Sequence, residues 1–484
     1  MSIARALGNA VSGLAATARG TETVAANLAN AATPGYARRD LAVSAQTAGG
    51  NAGGVRIDGV SRAVNASVLS ESRLAEAARA KSTALLDFST RIENAIGLAG
   101  NAGSLGSALS AFQVALSSAA SRPDDELRLT QVADTAIAFA DKLNSLSHEV
   151  QSARSAADQA IARDVATLNT SLAQVADLNR KITVLEADGS DPSSLYDQRQ
   201  GIISTIAKIV PVQEVTRASG AVALFTTEGA VLLDGTKPTD LTFAAAPLVT
   251  SDQSVGTGLA LLTQNGQELT TSQMRLYGGG SLAAHFAIRD ELAPQVQQSL
   301  DDLAFDLHGR LTDPTVDPSL TPMSAGLFTD DGLRATVADK SGLAGRLRVN
   351  DAVVAAAGGE AWRLRAGLEA SAPGAVGDSS LLTALADSLA KASAAPAGTG
   401  FEGKGSLADR LGAVESRIVT ARVTAQSDAA VRNSQADTIF GRLAGDGVDS
   451  DTEMQRLLRY EQAYAANARV IQAIKTMMDQ ILEI

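Results

Sequence analysis

The first helix pattern of the chain ends in the sequence Asn27-Leu-Ala-Asn30-Ala-Ala-Thr33-Pro34-Gly35-Tyr36. Before this end, apolar or small residues recur at an average spacing of about 3.5 residues, which is the period of a coiled coil. They are Ile3, Leu7, Ala10, Leu14, Thr17, Thr21, Val24 and Leu28. Pro34 disfavours helical geometry at Thr33, and Pro34-Gly35 suits the centre of a type II turn, because Gly accepts the positive φ required there. We therefore predict a helix over 3–28 that is stopped by a turn, with Tyr36 packing back on it.

The last segment carries a second amphipathic pattern, from Met454 to Leu482. One row of it consists of Leu457, Tyr460, Tyr464, Ile471, Ile474, Met478 and Ile481. Ser450-Asp-Thr-Glu453, just before this pattern, has the sequence of a capping box. An apolar stripe needs a partner that covers it. We predict that the terminal stripes pair with each other, with another copy of the chain, or with both.

On periodicity alone, two core helices of an ordinary bundle would be the better interpretation, but the residues themselves change it. The segment from Ala26 to Tyr36 resembles the N-terminal signature of the axial proteins of the bacterial flagellum, which are the rod, hook and hook-associated proteins. Near the other end, a second segment resembles the matching C-terminal signature of that family. It is Leu457-Leu-Arg-Tyr-Glu-Gln-Ala-Tyr-Ala-Ala-Asn-Ala-Arg-Val-Ile471. Both signatures are long, and each lies at the expected end.

Composition narrows the classes of function. The chain has 484 residues, of which 45% are hydrophobic and 19% charged, so it can fold into two to four domains. It has no cysteine, which excludes disulfides, thiolate metal sites and cysteine nucleophiles. The formal net charge of −12 and the lack of a long basic run argue against nucleic acid as a partner. No apolar run approaches the roughly 20 residues of a membrane span.

The middle of the chain is helix-rich, then β-rich, then mixed, then helix-rich again. The stretch from Asp124 to Asp188 has no Gly or Pro and keeps a heptad rhythm, which is typical of a coiled coil or a rod-like bundle. Further helix patterns lie at about 66–96, 107–121, 195–209, 281–311, 379–394 and 407–443, and strand patterns at 55–60 and within 212–277. We predict a mainly α fold with a β-rich insertion, that is, an α+β chain.

We expect three domains. Residues 1–44 with 449–484 would form a terminal coiled-coil, or axial, domain. Residues 45–210 with 281–312 and 345–448 would form a helical rod-like domain, and 211–280 with part of 313–344 a small outer β-rich domain. This order is typical of a chain that leaves an axis, builds an outer domain and returns.

No pattern predicts a catalytic residue, a cofactor or a metal ligand. His148, His285 and His308 do not have the spacing of a zinc-binding HExxH pair, so we assign each a structural or solvated role. Ser388-Leu-Ala-Lys391 has the Ser-x-x-Lys spacing of serine acyl-enzymes, but the companion Ser-Asp-Asn and Lys-Thr-Gly elements are absent. Gly278-Gly-Gly280 lacks the Gly-Lys-Ser/Thr ending of a phosphate-binding loop. We therefore predict that the chain is not an enzyme.

Several internal segments are similar to the hook-filament junction members of the flagellar family. They are Leu195-Tyr-Asp-Gln-Arg199 with Lys208-Ile-Val210, Gly279-Gly280-Ser-Leu282 with Ile288-Arg289-Asp290, Leu347-Arg-Val-Asn350, and Pro373-Gly-Ala-Val-Gly-Asp378. The resemblance implies a ring of copies that connects hook to filament, with hook protein below and hook-associated protein 3 above. It also implies an extracellular location, an export chaperone, and export through the flagellar type III apparatus without a cleaved signal peptide. The expected assembly interface is Ile3, Leu7, Leu14, Asn27, Leu28, Asn30, Pro34, Gly35, Tyr36, Leu457, Tyr460, Tyr464, Ile471, Ile474, Met478 and Ile481.

Three alternatives remain open. The chain could be another axial protein, such as hook-associated protein 3, a hook protein or a rod protein. It could be a secreted coiled-coil adhesin or toxin scaffold, although such a protein would not need the two terminal signatures. It could also be a junction protein with a wall-cleaving domain, which would need an acid pair or a metal triad within residues 211–400.

Overall fold

Helices make up 62% of the chain and strands occur only in small sheets, so the predicted mainly α fold class is confirmed. The computed structural model describes residues 3–33, 35–48, 51–97 and 100–482. The prediction for Pro34 itself lies outside the described residues. The N-terminal helix packs against the C-terminal helix, as the two terminal stripes predicted.

The helices follow the predicted pattern closely, and α2 has the predicted bounds. They are α1 (Ile3–Ala29), α2 (Ala66–Ile96), α3 (Leu105–Ser121), α4 (Glu126–Ala187), α5 (Ser193–Ile209), α6 (Gly280–Ala287), α7 (Ala293–Leu311), α8 (Leu343–Arg346), α9 (Arg363–Ala366), α10 (Ser380–Ala390), α11 (Leu407–Gly445) and α12 (Ser450–Leu482). A π-type turn at Ile288–Leu292 joins α6 to α7, so the helix predicted over 281–311 is continuous but locally widened.

The strands are mostly short. They are β1 (Arg39–Ala48), β2 (Asn51–Arg62), β3 (Val212–Thr216), β4 (Val222–Thr226), β5 (Val231–Asp234), β6 (Lys237–Pro238), β7 (Leu241–Thr242), β8 (Ser254–Val255), β9 (Gly258–Leu259), β10 (Thr263–Gln264), β11 (Gln267–Glu268), β12 (Phe328–Asp330), β13 (Leu347–Val349), β14 (Ser393–Ala394) and β15 (Lys404–Gly405). The four-stranded sheet has the order β3-β4-β5-β6 and is antiparallel throughout.

Helix α4 is the spine of the molecule. It is 62 residues long, and Asp125 caps its start by accepting the backbone N–H of Leu127. At 1.5 Å per residue it extends about 93 Å. Two apolar cores form along it. The first packs residues 129–157 of α4 against α3, α7, α10 and α11, and the second packs residues 161–176 against α5, α6 and the β3–β5 strands.

The β-rich segment shares its core with helices. Residues 212–282 join the second core, while residues 320–343 contribute to the first. Polar side chains of α4 also bind this segment: the Asn179 amide donates to the Val222 carbonyl at 2.9 Å, and the Leu241 N–H donates to the Asn169 side chain at 3.1 Å. The predicted division into three domains stays a prediction.

A buried arginine fixes the junction of α6 and α7 to α4. Arg289 is fully buried, and its guanidinium carbon lies 5.5 Å and 4.9 Å from the ring centroids of Phe243 and Phe286. It pairs with Asp158 of α4 and with Asp290, each at 2.7 Å. Because an unpaired buried charge costs several kcal/mol, these contacts hold the three segments in one arrangement.

The predicted strand patterns missed β1 and the short strands β12, β13, β14 and β15. The strand predicted at 55–60 is longer, and it pairs with β1 in an antiparallel hairpin in which Arg39 lies opposite Arg62 and Val43 opposite Ile57. Strand β1 contains no aromatic residue, so its β signal is weak. The hairpin lies against α1.

The capping box predicted at Ser450 is wrong. Asp449 caps α12 instead, because its carboxylate accepts the Asp451 N–H at 3.1 Å and the Thr452 hydroxyl at 2.7 Å. Glu453 is therefore free to turn into the protein, where it is fully buried. A capping box does occur at the start of α11, between Ser406 and Asp409.

Candidate assembly surface on the paired terminal helices

Helices α1 and α12 run antiparallel, in a register that advances by seven residues on each. Asn27 bonds Glu453, Gly20 lies under the ring of Tyr460, and Gly13 lies against the side chain of Asn467. We call this row of contacts the seam. Seven residues further along the seam, Ala6 of α1 is opposite the buried Ile474 of α12. The seam therefore has the heptad repeat of a coiled coil.

Glycine permits the close approach along the seam. A methyl group at Gly20 would lie 2.5 Å from two ring carbons of Tyr460, and one at Gly13 would lie 2.9 Å from the Asn467 amide nitrogen. Gly8 on the same helix has no atom within 4 Å of such a methyl group. Small residues thus occur where α12 is nearest, while the large apolar residues of α1 lie elsewhere.

Asn27 closes one end of the seam with four hydrogen bonds. Its amide nitrogen donates to the Glu453 carboxylate at 3.0 Å and to the Arg39 carbonyl at 2.9 Å. Its amide oxygen accepts the Arg39 N–H and the Tyr36 hydroxyl, each at 2.9 Å. The Asn27 side chain is fully buried. Its four hydrogen bonds offset the free energy that is lost when an amide is removed from water.

The buried Glu453 carboxylate has a cation as well as an amide partner. Arg456, one turn further along α12, pairs with it at 3.1 Å and with Asp40 of the hairpin at 2.7 Å. A buried carboxylate needs such partners to remain charged. The start of α12 is therefore tied both to α1 and to the hairpin.

The turn after α1 has the predicted form in its described part. The Tyr36 N–H donates to the Thr33 carbonyl at 3.2 Å, and Gly35 has a φ of 80°, which is the third position of a type II turn. Tyr36 packs back on the helix through its bond to Asn27, as predicted. Burial is the main cause that raises the pKa of Tyr36, while the nearby Arg39 opposes it.

The two flanks of the helix pair differ. The hairpin covers one flank, where Ser12, one residue before a seam position, accepts the Val55 N–H at 3.1 Å. The other flank is the one we call the open face. Its residues follow the seam positions by four on α12 and by one on α1, except Ile3, which lies one turn before Leu7. On each helix this is a rotation of about 40° to 100° from the seam in the same sense. The open face contains Ile3, Leu7, Leu14, Leu28, Leu457, Tyr464, Ile471 and Met478.

Nothing in the described part of the chain fully covers the open face. Leu28, Tyr464 and Met478 are 38%, 45% and 45% exposed, and the other members are half-buried. An isolated soluble helix pair normally turns such residues inward. The open face is thus an apolar surface without a partner inside the chain.

The predicted interface residues therefore fall into three groups. Tyr460 and Ile474 lie in the seam with Asn27. Ile481 continues their row on α12 but is 60% exposed, because the described part of α1 begins at Ile3 and has no residue opposite Ile481. Eight residues form the open face. Within the described residues the Asn30 side chain bonds only locally, donating to the Ala26 carbonyl and accepting the Thr33 hydroxyl, and Gly35 is exposed. The role of these residues in assembly stays a prediction.

Sequence reasoning missed the small and charged members of the site. Gly13 and Gly20 sit in the seam, and Glu453, Arg39 and Asp197 join it to the rest of the molecule. The spacing of seven residues between Gly13, Gly20 and Asn27 could have indicated the seam from the sequence alone. No pattern could have linked Asp197 to a segment more than a hundred positions away.

Polar groups considered for chemistry have structural partners. His308 is buried, with Nδ1–H donating to the Phe328 carbonyl at 2.8 Å and Nε2 accepting the Ala335 N–H at 3.1 Å. The Ser388 hydroxyl donates to the Arg310 carbonyl at 2.9 Å. In residues 3–33, 35–48, 51–97 and 100–482 no cluster of His, Asp and Glu could hold a metal ion. No described helix is long and apolar enough to cross a membrane.

Three family models match separate parts of the chain. A model of flagella basal body rod proteins matches residues 7–36, and a model of the C-terminal part of the flagellar basal body rod FlgEFG proteins matches residues 441–484. The model described as the helical domain of flagellar hook-associated protein FlgK matches residues 89–311. The first two matches cover the terminal helices, and the third covers the spine and the strands that pack on it.

Individual relatives agree with these models. Flagellar hook-associated protein 1 of Salmonella typhimurium is 27% identical over 305 residues, which cover 62% of this chain and 54% of the relative. The chain thus matches about half the length of that relative. The protein of the same name from Escherichia coli is 23% identical, over 99% of both chains.

A solved structure, that of the flagellar hook junction protein FlgK from Burkholderia pseudomallei, is 20% identical with a TM-score of 0.45, covering 54% of this chain and 46% of that one. The resemblance to flagellar axial proteins inferred from the two terminal signatures is confirmed by the family models at both ends. The chain belongs to the flagellar hook-associated protein 1 family, a structural and non-enzymatic family of flagellar axial proteins.

Proposed function

We propose that the chain is the structural subunit that connects the hook of the bacterial flagellum to its filament, and that it is built into a ring through its terminal helices. The observation that carries this proposal is the open face. It lies on the helices that bear the two axial signatures, and it offers apolar side chains that no described element fully covers. A neighbouring copy of the same helix pair is the natural partner of such a surface.

The size of the open face supports this use. Burying one leucine-sized side chain contributes roughly 1.5–3 kcal/mol, whereas association costs an estimated 4–15 kcal/mol. One or two such contacts would not hold a subunit. Eight residues spread along both helices can exceed the cost, so a copy docked along the whole face would remain bound.

The remaining partners are part of the same proposal. The ring would rest on hook protein and carry hook-associated protein 3. The chain would reach this extracellular position through the flagellar type III export apparatus, with an export chaperone. Membership of the hook-associated protein 1 family supports these assignments, because the relatives carry the name of that component.

The test uses charged substitutions on the open face. Tyr464→Lys and Met478→Lys, introduced together in cells that lack the native chain, should leave hooks without filaments and release the chain into the medium. Leu127→Lys is the matched control, because Leu127 is 78% exposed on α4, outside the helix pair. Normal filaments on cells with the double variant would refute the role of the open face.

Location distinguishes the alternatives within the family. Gold-labelled antibody on isolated hooks should bind in one band at the end of the hook that bears the filament. Labelling along the hook or inside the rod would instead identify a hook or rod protein. A wall-cleaving activity would appear as clearing of a suspension of cell-wall sacculi by the purified chain, and we expect none.

A further inference from the structure

Helix α11 has one long face that is exposed and uncharged. In its second half the helix packs on α2, through the buried Ala429 and Ala436 and through ion pairs of Asp437 and Arg442. Ser427 lies nine residues before Ala436, which is about 180° around the helix. On that side six exposed residues form what we call the outer row: Thr420, Val423, Ser427, Ala430, Ser434 and Thr438. The exposed side of a surface helix usually carries charge, so an uncharged row about 27 Å long indicates a surface that a partner covers.

A second uncharged surface lies on residues 241–253, which we call the strap. The strap is tied to α4 through its backbone: the Asp158 carboxylate accepts the Ala246 N–H at 2.7 Å, and the Ser155 hydroxyl accepts the Val249 N–H at 3.1 Å. Its outward side chains are apolar. Leu248 is 64% exposed, and the small residues at 244, 245 and 247 are exposed beside it.

The outer row and the strap lie on opposite flanks of the molecule. On α2, Glu93 pairs with Arg422 of α11, and Arg91 pairs with Glu149 of α4. These two positions on α2 are about 200° apart, so α11 and α4 lie on opposite sides of it. On α4, Asp158 is nine residues beyond Glu149, about 180° around the helix, so the strap lies on the side of α4 that faces away from α2. The order across the molecule is therefore outer row, α2, α4 and strap.

The two surfaces are also at the same height. Helices α4 and α11 both run antiparallel to α2, and Glu149 and Arg422 meet it within one turn of each other. Asp158 is nine residues beyond Glu149, and Val431 is nine residues beyond Arg422. The strap is thus level with Val431, which is 49% exposed beside the outer row. Because the row is about 27 Å long, neighbouring copies that are offset along the ring axis can still meet.

The charges around the two surfaces are complementary. Within residues 239–254 the charged side chains are Asp240 and Asp252, and both are exposed. Residues 416–445 of α11 contain four arginines and two aspartates, although the whole chain has a net charge of −12. An acidic flank and a basic flank on the same molecule attract each other between copies and repel their own kind.

We propose that the strap of one copy docks on the outer row of the neighbouring copy, with Leu248 among the row residues. This inference rests on the proposed ring and adds a second contact to it. A contact between two different surfaces of identical copies continues from copy to copy, as a ring requires. One helix face of this length covers about 300 Å² per partner, against about 800 Å² in a typical stable complex. The docking therefore acts together with the terminal helices and does not assemble the chain by itself.

Disulfide formation between introduced cysteines tests the docking in assembled flagella. The chain has no cysteine of its own, so links between copies come only from the introduced residues. Leu248→Cys is combined in one chain with Val423→Cys, Ser427→Cys or Ser434→Cys, in cells that lack the native chain. Mild oxidation of isolated hook–filament structures should give a ladder of dimers, trimers and larger products on a non-reducing gel for at least one of the three pairs. Leu248→Cys with Leu127→Cys is the control pair, because the exposed Leu127 is at the far end of α4, and it should give no ladder.

The pattern of products identifies the kind of contact. Each single cysteine variant should give no link, whereas cells that make the two variants on separate copies should give dimers and nothing larger. Links in the Leu248→Cys variant alone would mean that like surfaces meet, and this would overturn the proposal. A benzophenone amino acid at position 427 should attach to a second copy of the chain, and attachment to another flagellar protein in its place would also overturn it.

The experiment separates this inference from the proposed function. Cells that bear filaments and whose isolated hooks contain the chain, but that give no ladder with any of the three pairs, would refute the docking and leave the proposed function intact. Isolated structures without the chain, in cells that make the parent, would refute the proposed function and the docking with it.

Discussion

Gly20 offers the most direct measure of how closely the terminal helices pack. A methyl group at this position would lie 2.5 Å from two carbons of the Tyr460 ring, whereas the same group at Gly8 would meet nothing within 4 Å. Alanine is favoured over glycine in a helix by about 1 kcal/mol, and this gain is common to both positions. The difference between Gly20→Ala and Gly8→Ala therefore isolates the cost of overpacking, which is about 1–3 kcal/mol.

Amide hydrogen exchange of α12 measures this difference locally. Because every 1.4 kcal/mol is a factor of ten, the α12 amides should exchange about 5- to 150-fold faster in Gly20→Ala than in Gly8→Ala. Tyr460→Leu, combined with Gly20→Ala, removes the ring and should restore most of the protection. Equal exchange in the two single variants would mean that Gly20 does not face Tyr460, and the seven-residue register would then be incorrect.

Three other expectations concern the pH response, the buried ion pair and the turn. Burial is the main cause that lowers the pKa of His308, so the unfolded chain binds a proton more readily; stability is complete above the unfolded pKa of about 6.5 and falls below it, by at most about 1.4 kcal/mol per pH unit for this one group. His308→Gln, which keeps a donor and an acceptor, should reduce that acid slope in denaturant titrations at a series of pH values, and an unchanged slope would contradict the assignment. Arg289→Met leaves Asp158 buried without its cation and should lower the free energy of unfolding by about 3–5 kcal/mol. The control is the exposed ion pair of Arg217 with Asp234, because Arg217→Met should lower the free energy of unfolding by less than about 1 kcal/mol. Similar losses of stability in the two variants would show that Arg289 is not isolated from water. Gly35→Val places a β-branched residue at positive φ and should weaken incorporation into flagella, whereas Gly35→Asn should be tolerated; normal motility with valine would argue against the role of the turn.

The long elements were predictable from the sequence for physical reasons. The spine α4 has recurring apolar residues and no Gly or Pro, so local helix preference and burial agree along it. The terminal helices also have apolar periodicity, although much of α12 is exposed. The turn at Gly35 was predictable because only a small set of residues adopts its geometry. In each case the information lies within a short stretch of the chain.

The candidate site was only partly predictable, because its specific contacts are small, polar or distant. A search for large apolar residues finds the open face but passes over Gly13 and Gly20, whose contribution is the absence of a side chain. Glu453 matched a local capping pattern, yet its partner is Asn27 at the other end of the chain. Contacts between distant segments, such as Arg62 with Asp197, depend on tertiary structure and leave no trace in local periodicity.

The spine has a consequence for how the molecule responds to stress. Since one unbroken helix contributes residues to both apolar cores, neither core can unfold without freeing part of a helix that the other core still holds. The two cores should therefore melt together in a single cooperative transition. A pull applied near one end of α4 would likewise travel to the other end through its backbone hydrogen bonds, without crossing a loop that could stretch.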